Sequence, residues 1–339
     1  MNKDASHPIL EVRNLTAKIK SNDAIITVVD GLSFALFPGQ TLALVGESGC
    51  GKTLTALSIM RILPRHQSLQ PSGEVIYRGE NLLTLSEKQM RSIRGSKITM
   101  IFQDPMSALN PVYTIGNQLM EVAKLHLNMS EEEAWTRSCH LLDRVGISSS
   151  AERMESYPHQ LSGGLRQRIM IAMALMCEPD ILIADEPTTA LDVTVQAQVL
   201  DLIQELQRES GMALLLITHD MGVVAKMADY VTVMYLAQSA EQCSSTELFY
   251  HPSHPYTIGL FQSRPSLETT GRLQPIAGSV PSFQEIPSGC RFHPRCPFVM
   301  EKCRHTQVPL FKIGQKAHYA RCLLHDGTAE SEIKLKSLK

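Results

Sequence analysis

Eight consecutive residues, Gly46 to Thr53 in the order GESGCGKT, have the types and spacing needed to hold a polyphosphate. The glycines let the backbone curl so that amide N–H groups point inward at phosphate oxygens, and a helix starting at the end of the loop adds the positive end of its dipole. Lys52 reaches the β and γ phosphates in such a loop, and the Thr53 hydroxyl reaches Mg²⁺. The expected ATP contacts are therefore Gly46, Glu47, Ser48, Gly49, Cys50, Gly51, Lys52 and Thr53. Cys50 has two readings: a small residue at a variable position, or a thiol acidified by the helix start.

Hydrolysis needs an acid that activates water, and Ile181 to Glu186 (ILIADE) ends a buried apolar run in two carboxylates. Asp185 is placed to hold Mg²⁺ and Glu186 to act as general base, although two acids after a strand can also simply cap a helix. Gln103 follows the run ITMIF and His219 follows ALLLIT. A Gln there can join Thr53 and Asp185 on the metal, and a His can donate to the γ-phosphate, while either alone could be an ordinary turn residue. Leu161 to Gly164 (LSGG) precedes a helical run, so Ser162, Gly163 and Gly164 offer a second set of bare N–H groups to an anion.

These groups need strands that end where they begin. Apolar runs at 41–45, 98–102, 181–184 and 213–218 alternate with helical-period segments, the pattern of helices wound on a mostly parallel sheet. An α/β core follows, with one longer helical stretch over roughly 113–145. After about residue 236, Pro and His become frequent (HPSHPY at 251–256), which predicts a second small domain. From His325 onward, charge and small polar residues predict a frayed tail. Ser130 before Glu131–Glu133 reads as a helix start.

The 339 residues carry 32 Lys+Arg against 34 Asp+Glu, a net charge of -2, which excludes holding nucleic acid by bulk charge. No apolar run approaches the roughly 18 residues of a membrane span, and Met1 to Leu10 lacks the pattern of a signal peptide, so a cytoplasmic chain is expected. Eight cysteines are too sparse for a disulfide scaffold.

In order and spacing, GESGCGKT, Gln103, LSGGLRQR, ILIADEP, Ala190-Leu191-Asp192 and His219 resemble the ATP-binding cassette (ABC) ATPases, over about residues 9–235. The resemblance implies a P-loop NTPase core with a helical subdomain at about 104–178, ATP and Mg²⁺ as ligands, and a head-to-tail pair of subunits, identical or homologous. In that pair Ser162, Gly163 and Gly164 of one subunit close over the ATP of the other. FQDPMSALNP (102–111), DEPTTALDVTVQAQVL (185–200), HPSHPYT (251–257) and GCRFHPRCP (289–297) further resemble the ATPase subunits of oligopeptide, dipeptide and nickel importers. The family resemblance divides the chain into an ATPase domain (8–235), a small cysteine-containing C-terminal domain (236–325) and a tail (326–339). It implies a peripheral subunit on the cytoplasmic face of the cell (inner) membrane, two membrane permeases, and a substrate-binding protein that delivers the solute. Peptide is the expected cargo, with nickel or an opine as alternatives. The sequence departs from the family at Ile19, near which an adenine-stacking aromatic falls, at Leu165, and at Ala237 and Cys243, where Gly is usual.

Cys290, Cys296, Cys303 and Cys322 are separated by five, six and eighteen residues, without the tight pairs of a zinc ribbon. Spacing alone reads them as buried thiols. The resemblance implies instead that they hold a [4Fe–4S] cluster, used as a staple, with His293, His305 and His318 making zinc the alternative. Cys139, Cys177 and Cys243 read as packing residues.

Overall fold

The computed structural model describes residues 7–21, 24–64, 68–104, 108–189, 191–263 and 275–338. Ala190 of the Ala190-Leu191-Asp192 motif and residues 105–107 of FQDPMSALNP lie outside the described residues. The strands are β1 (Leu10–Ser21), β2 (Ala24–Leu36), β3 (Thr41–Val45), β4 (Ser72–Tyr77), β5 (Glu80–Asn81), β6 (Ile98–Ile101), β7 (Ile181–Asp185), β8 (Ala213–Thr218), β9 (Tyr230–Tyr235), β10 (Gln238–Ser244), β11 (Phe311–Lys312) and β12 (Tyr319–Ala320). The α-helices are α1 (Lys52–Ile59), α2 (Glu87–Ile93), α3 (Ile115–Leu127), α4 (Glu131–Arg144), α5 (Ser150–Met154), α6 (Gly163–Leu175), α7 (Val193–Ser210), α8 (Met221–Met227), α9 (Ser245–Tyr250), α10 (Pro255–Gln262) and α11 (Ala329–Leu338). Contacts divide the chain into two compact units: Met1–Glu11, Ala35–Thr41 and Val75–Thr218 form the first, Val12–Phe34, Leu42–Glu74 and His219–Lys339 the second.

In the first unit β6, β7 and β8 run parallel, with Ile98 opposite Ile181 and Ile181 opposite Ala213. Every residue of β7 and β8 is buried, which is why these strands read as unbroken apolar runs and not as alternating ones. Each buried Leu or Ile side chain among them contributes about 1.5–3 kcal/mol of burial free energy. The helical stretch consists of two helices, the second starting after Ser130. Asn128, at φ 54°, ends α3, because a short amide side chain tolerates the left-handed region. Ser130 then opens α4 with a capping box: its hydroxyl accepts the Glu133 N–H at 3.3 Å, and the Glu133 carboxylate accepts the Ser130 N–H at 2.8 Å.

In the second unit β3 lies parallel to β9, β10 folds back antiparallel on β9, and β12 pairs with β10. The chain thus crosses residue 236, where composition shifts, inside one hairpin with Tyr235 opposite Gln238. Ala237 in that turn has φ 68°, the conformation that makes glycine usual there. Tyr235, Tyr256 and Phe292 meet behind the hairpin with ring centroids 4.7–5.4 Å apart.

Two expectations need correction. The long strands β1 and β2 were not among the predicted ones, because they bury alternate residues and contain no continuous apolar run. The frayed tail is a helix over Ala329–Leu338, anchored by polar bonds where apolar surface is scarce. Lys302 Nζ donates to Asp326 (2.5 Å), Thr328 (2.7 Å) and the buried Ser331 (2.9 Å), and Lys334 Nζ donates to the Val299 carbonyl at 2.6 Å. Among the described residues, no helix is long and apolar enough to cross a membrane.

Candidate functional site

The phosphate loop leaves the fully buried β3 and enters α1 at Lys52, the strand–loop–helix context its sequence requires. Two of its glycines are dictated by space: a Cβ at Gly46 would stand 2.3 Å from the Met234 carbonyl oxygen, and one at Gly51, where φ is 109°, 2.5 Å from that of Val28. Ser48 and Gly49 are exposed and Thr53 is half-buried. The Lys52 ammonium is folded back over the loop, donating to the carbonyls of Gly46 (2.8 Å) and Glu47 (3.2 Å). Cys50 is buried, and burial pushes its thiol pKa up despite the nearby Lys52 charge. That overturns the acidified-thiol reading, since desolvation of a thiolate outweighs the helix start here. The residue packs inside the loop.

Glu47 was expected among the ATP contacts, but its polar groups are engaged inside the protein. Its N–H donates to the Tyr256 hydroxyl at 2.9 Å, and its carboxylate receives two N–H bonds from Arg295, at 2.8 and 3.1 Å. Tyr256 and Arg295, 209 and 248 residues downstream, were missed because nothing in local sequence pairs them with the loop. His219 belongs to this same unit and is exposed, directly after β8.

In the first unit the end of β7 carries Asp185, buried at 1 % exposure, and then Glu186 at φ 45°. A non-glycine residue in that region stores backbone strain of about 1–3 kcal/mol, which the surroundings must impose. They do so from three sides: the Glu186 N–H donates to the Ile217 carbonyl, and its carboxylate accepts from Gln103 Nε2 and Thr189 Oγ1, all at 2.9 Å. The structure therefore brings Gln103 and Thr189 onto the Glu186 carboxylate. A Gln that spends its NH₂ on a carboxylate keeps its carbonyl oxygen for a cation, so this donor set suits Mg²⁺.

Ser162 is the N-cap of α6, its hydroxyl accepting the Leu165 N–H at 3.4 Å, and both Ser162 and Gly163 are exposed. Asp192 caps α7 through Val195 N–H at 2.9 Å.

The four late cysteines lie in one small region. The Cys290 N–H donates to the Cys303 carbonyl at 2.8 Å, Cys303 and Cys322 pack with Met300, Val308, Leu323 and Leu324, and Cys290 and Cys296 border the same cluster or its neighbour. Burial, aided by the other thiols, pushes Cys290 up to about 11 and Cys296 to about 12, and raises Cys322 further. The three histidines offered as zinc ligands look elsewhere: His293 to the Cys290 carbonyl, His305 to Glu301, and His318 to Glu241 at 2.7 Å. Glu241 is wholly buried and also accepts the N–H groups of Ser253 (2.7 Å) and His254 (2.9 Å), holding the start of α10. Cys243 lies beside this Glu241–His318 pair, a closed staple whose carboxylate is already filled.

Residues 29–189 match the family model described as ABC transporter, and residues 240–303 the one described as oligopeptide/dipeptide transporter, C-terminal region. The chain is 48% identical over 326 residues to a dipeptide transport ATP-binding protein, DppD, of Bacillus subtilis, covering 96% of this chain and 97% of that one. It is 47% identical over 299 residues to the oligopeptide transport ATP-binding protein OppD of Salmonella typhimurium, covering 88% and 89%. Among solved structures, the dimeric ATP-binding cassette MJ0796 in a post-hydrolysis state with ADP and Pi is similar at 26% identity and a TM-score of 0.62, over 70% of this chain and 98% of that one. With its glycine-rich loop between β3 and α1 and its carboxylates at the end of β7, the chain belongs to the ABC transporter ATPases, in the group that carries the oligopeptide/dipeptide transporter C-terminal region.

Proposed function

We propose that this chain is the ATP-hydrolysing subunit of a peptide importer, driving dipeptide or oligopeptide uptake through membrane permeases. The observation that carries this reading is the likeness to dipeptide and oligopeptide transport ATP-binding proteins across nearly the whole chain. Lys52 and the amides of the loop hold the β and γ phosphates. Thr53, Gln103 and Asp185 would hold Mg²⁺, which would supply positive charge against the phosphates. Glu186, aimed by Gln103 and Thr189, takes a proton from the attacking water, and His219 donates to the γ-phosphate as charge builds there. Ser162, Gly163 and Gly164 close on the nucleotide of a second ATPase subunit, identical or homologous.

The functional unit in this reading is two such ATPases on the cytoplasmic face of the inner membrane, two permeases, and a substrate-binding protein that supplies the solute. Residues 8–235 act as the ATPase domain and 236–325 as the C-terminal domain. Glu186→Gln tests the enzyme: ATPase turnover falls by about 10²-fold or more while ATP still binds. Purification from membranes tests the transport role. Two multi-span permeases should accompany the chain, and vesicles holding the complex should take up labelled dipeptide only with ATP.

Cys290, Cys296, Cys303 and Cys322 are read as ligands of a [4Fe–4S] cluster. Two observations support the fit. Cys303 and Cys322 share one apolar cluster that Cys290 borders, and Cys290 and Cys296 border its neighbour, so the four thiols are gathered in one small region. The Arg321 side chain donates to the carbonyl oxygens of Ser239 and Val308, and its charge acts on the Cys290 thiol, so it can offset negative charge at that sulfur. A bound cluster would staple this region together. A colourless, iron-free anaerobic preparation overturns the assignment.

A further inference from the structure

We infer that the region after β9 sets the shape of the phosphate loop, with Tyr256 and Arg295 as positioning residues for ATP acting through Glu47. The inference rests on reading Gly46–Thr53 as the ATP loop. Glu47 follows the first glycine, so fixing it fixes the direction in which the chain leaves β3. Two independent groups do this. The Tyr256 hydroxyl, on a wholly buried side chain, takes the Glu47 N–H, and the Arg295 fork grips both carboxylate oxygens.

Both braces are themselves held. The Arg295 side chain is only 5% exposed; its Nε donates to the Ala277 carbonyl at 3.0 Å, and its guanidinium lies about 6 Å from the ring centroids of Tyr235 and Phe292. The Tyr256 N–H donates to His254 Nδ1 at 3.0 Å, and the His254 N–H is held by the buried Glu241. On the far side of the loop, the Cys50 carbonyl accepts from Ala237 N–H at 2.9 Å. A loop that must turn several amides on one polyanion binds it more tightly when those amides already converge, because ordering is not left to the moment of binding. Residues far from the phosphates thus set nucleotide affinity by shaping the loop.

The test uses the full-length protein, a fluorescent ATP analogue with Mg²⁺ for affinity, and steady-state ATPase for KM and kcat. Arg295→Ala weakens binding and raises KM about tenfold, Tyr256→Phe about threefold, and Arg295→Lys recovers part of the Arg295→Ala loss. In all three, kcat at saturating ATP stays within about twofold. Glu47→Gln combined with Arg295→Ala binds no worse than Arg295→Ala alone, because the two act as one unit. Should Arg295→Ala fail to fold, Tyr256→Phe and Arg295→Lys decide. A lowered melting temperature with unchanged affinity in these variants, or a loss confined to kcat, overturns the brace. Lys52→Ala separates this from the underlying reading: if that variant binds the analogue normally, the loop assignment itself fails, whereas lost binding there with unaltered affinity in the other variants defeats only the brace.

Discussion

Two loops in this molecule offer backbone N–H groups at the start of a helix, and they are built in opposite ways. The phosphate loop is backed by a buried strand, leaves no room for a Cβ at Gly46 or Gly51, and is gripped from behind by Tyr256 and Arg295. In the Leu161–Gly164 loop Ser162 and Gly163 are exposed, and the described bonds are all local: Leu161 N–H to the Pro158 carbonyl at 3.2 Å, Leu165 N–H to the Ser162 hydroxyl at 3.4 Å and Arg166 N–H to the Ser162 carbonyl at 3.0 Å. Under the proposed function, the contrast separates a preformed receptor from a surface that awaits its counterpart. Affinity for ATP should reside in the first, and turnover should need both.

The sharpest way to break that comparison is Ser162→Arg. It should lower ATPase turnover about 10³-fold by blocking closure of two subunits, while analogue binding to the single chain changes by less than about twofold. Weakened binding in the isolated chain would place Ser162 in its own subunit's pocket. Next comes Gly51→Ala, whose Cβ would press on the Val28 carbonyl at a φ of 109°. A loss of about 3 kcal/mol in urea unfolding is expected, together with loss of ATP binding. Gly163→Ala, whose nearest neighbour is a Leu191 methyl at 3.9 Å, should leave stability within about 0.5 kcal/mol.

A third test reaches the support behind the first loop. Burial lowers the His254 pKa to about 4, and its Nδ1 accepts a backbone N–H, as only a ring unprotonated at that nitrogen can. Because the folded value lies below the unfolded value of about 6.5, the unfolded chain binds the extra proton between these limits. The contribution is complete above pH 6.5 and is lost as pH falls toward 4. His254→Asn, which keeps a helix cap, should flatten that acid limb by about 2 kcal/mol in unfolding experiments at pH 7 and pH 4.5. An unchanged slope would exclude His254. Smallest is Lys302→Met, which removes the bonds to Asp326, Thr328 and Ser331 and should cost about 1 kcal/mol, read as faster amide exchange across α11.

What could be read in advance follows from how each feature is encoded. The phosphate loop, the Glu186 strand and the Ser130 capping box are local patterns, complete within a few residues, and each lies where its pattern predicts. The Gln103–Glu186 bond follows from two strand ends that are neighbours in the sheet. β1 and β2 bury residues in interrupted alternation, so no continuous apolar run marks them in the sequence. Tyr256 and Arg295 lie within the HPSHPYT and GCRFHPRCP stretches, but these stretches do not say what the two side chains touch, and Glu241 has no motif at all: their roles arise from partners brought together only by folding. The same holds for α11, which is anchored by Lys302 from across the chain, by the buried Ser331 and by Leu335 against the Met300 cluster.

Because the phosphate loop is clasped by side chains encoded some two hundred residues later, the cassette here is not a free-standing cartridge. A chimera joining its first 235 residues to an unrelated ending would leave Glu47 without its clasp. Substitutions at 47 and 295 should therefore travel together through descent, with a charge lost from one inherited alongside a change in the other.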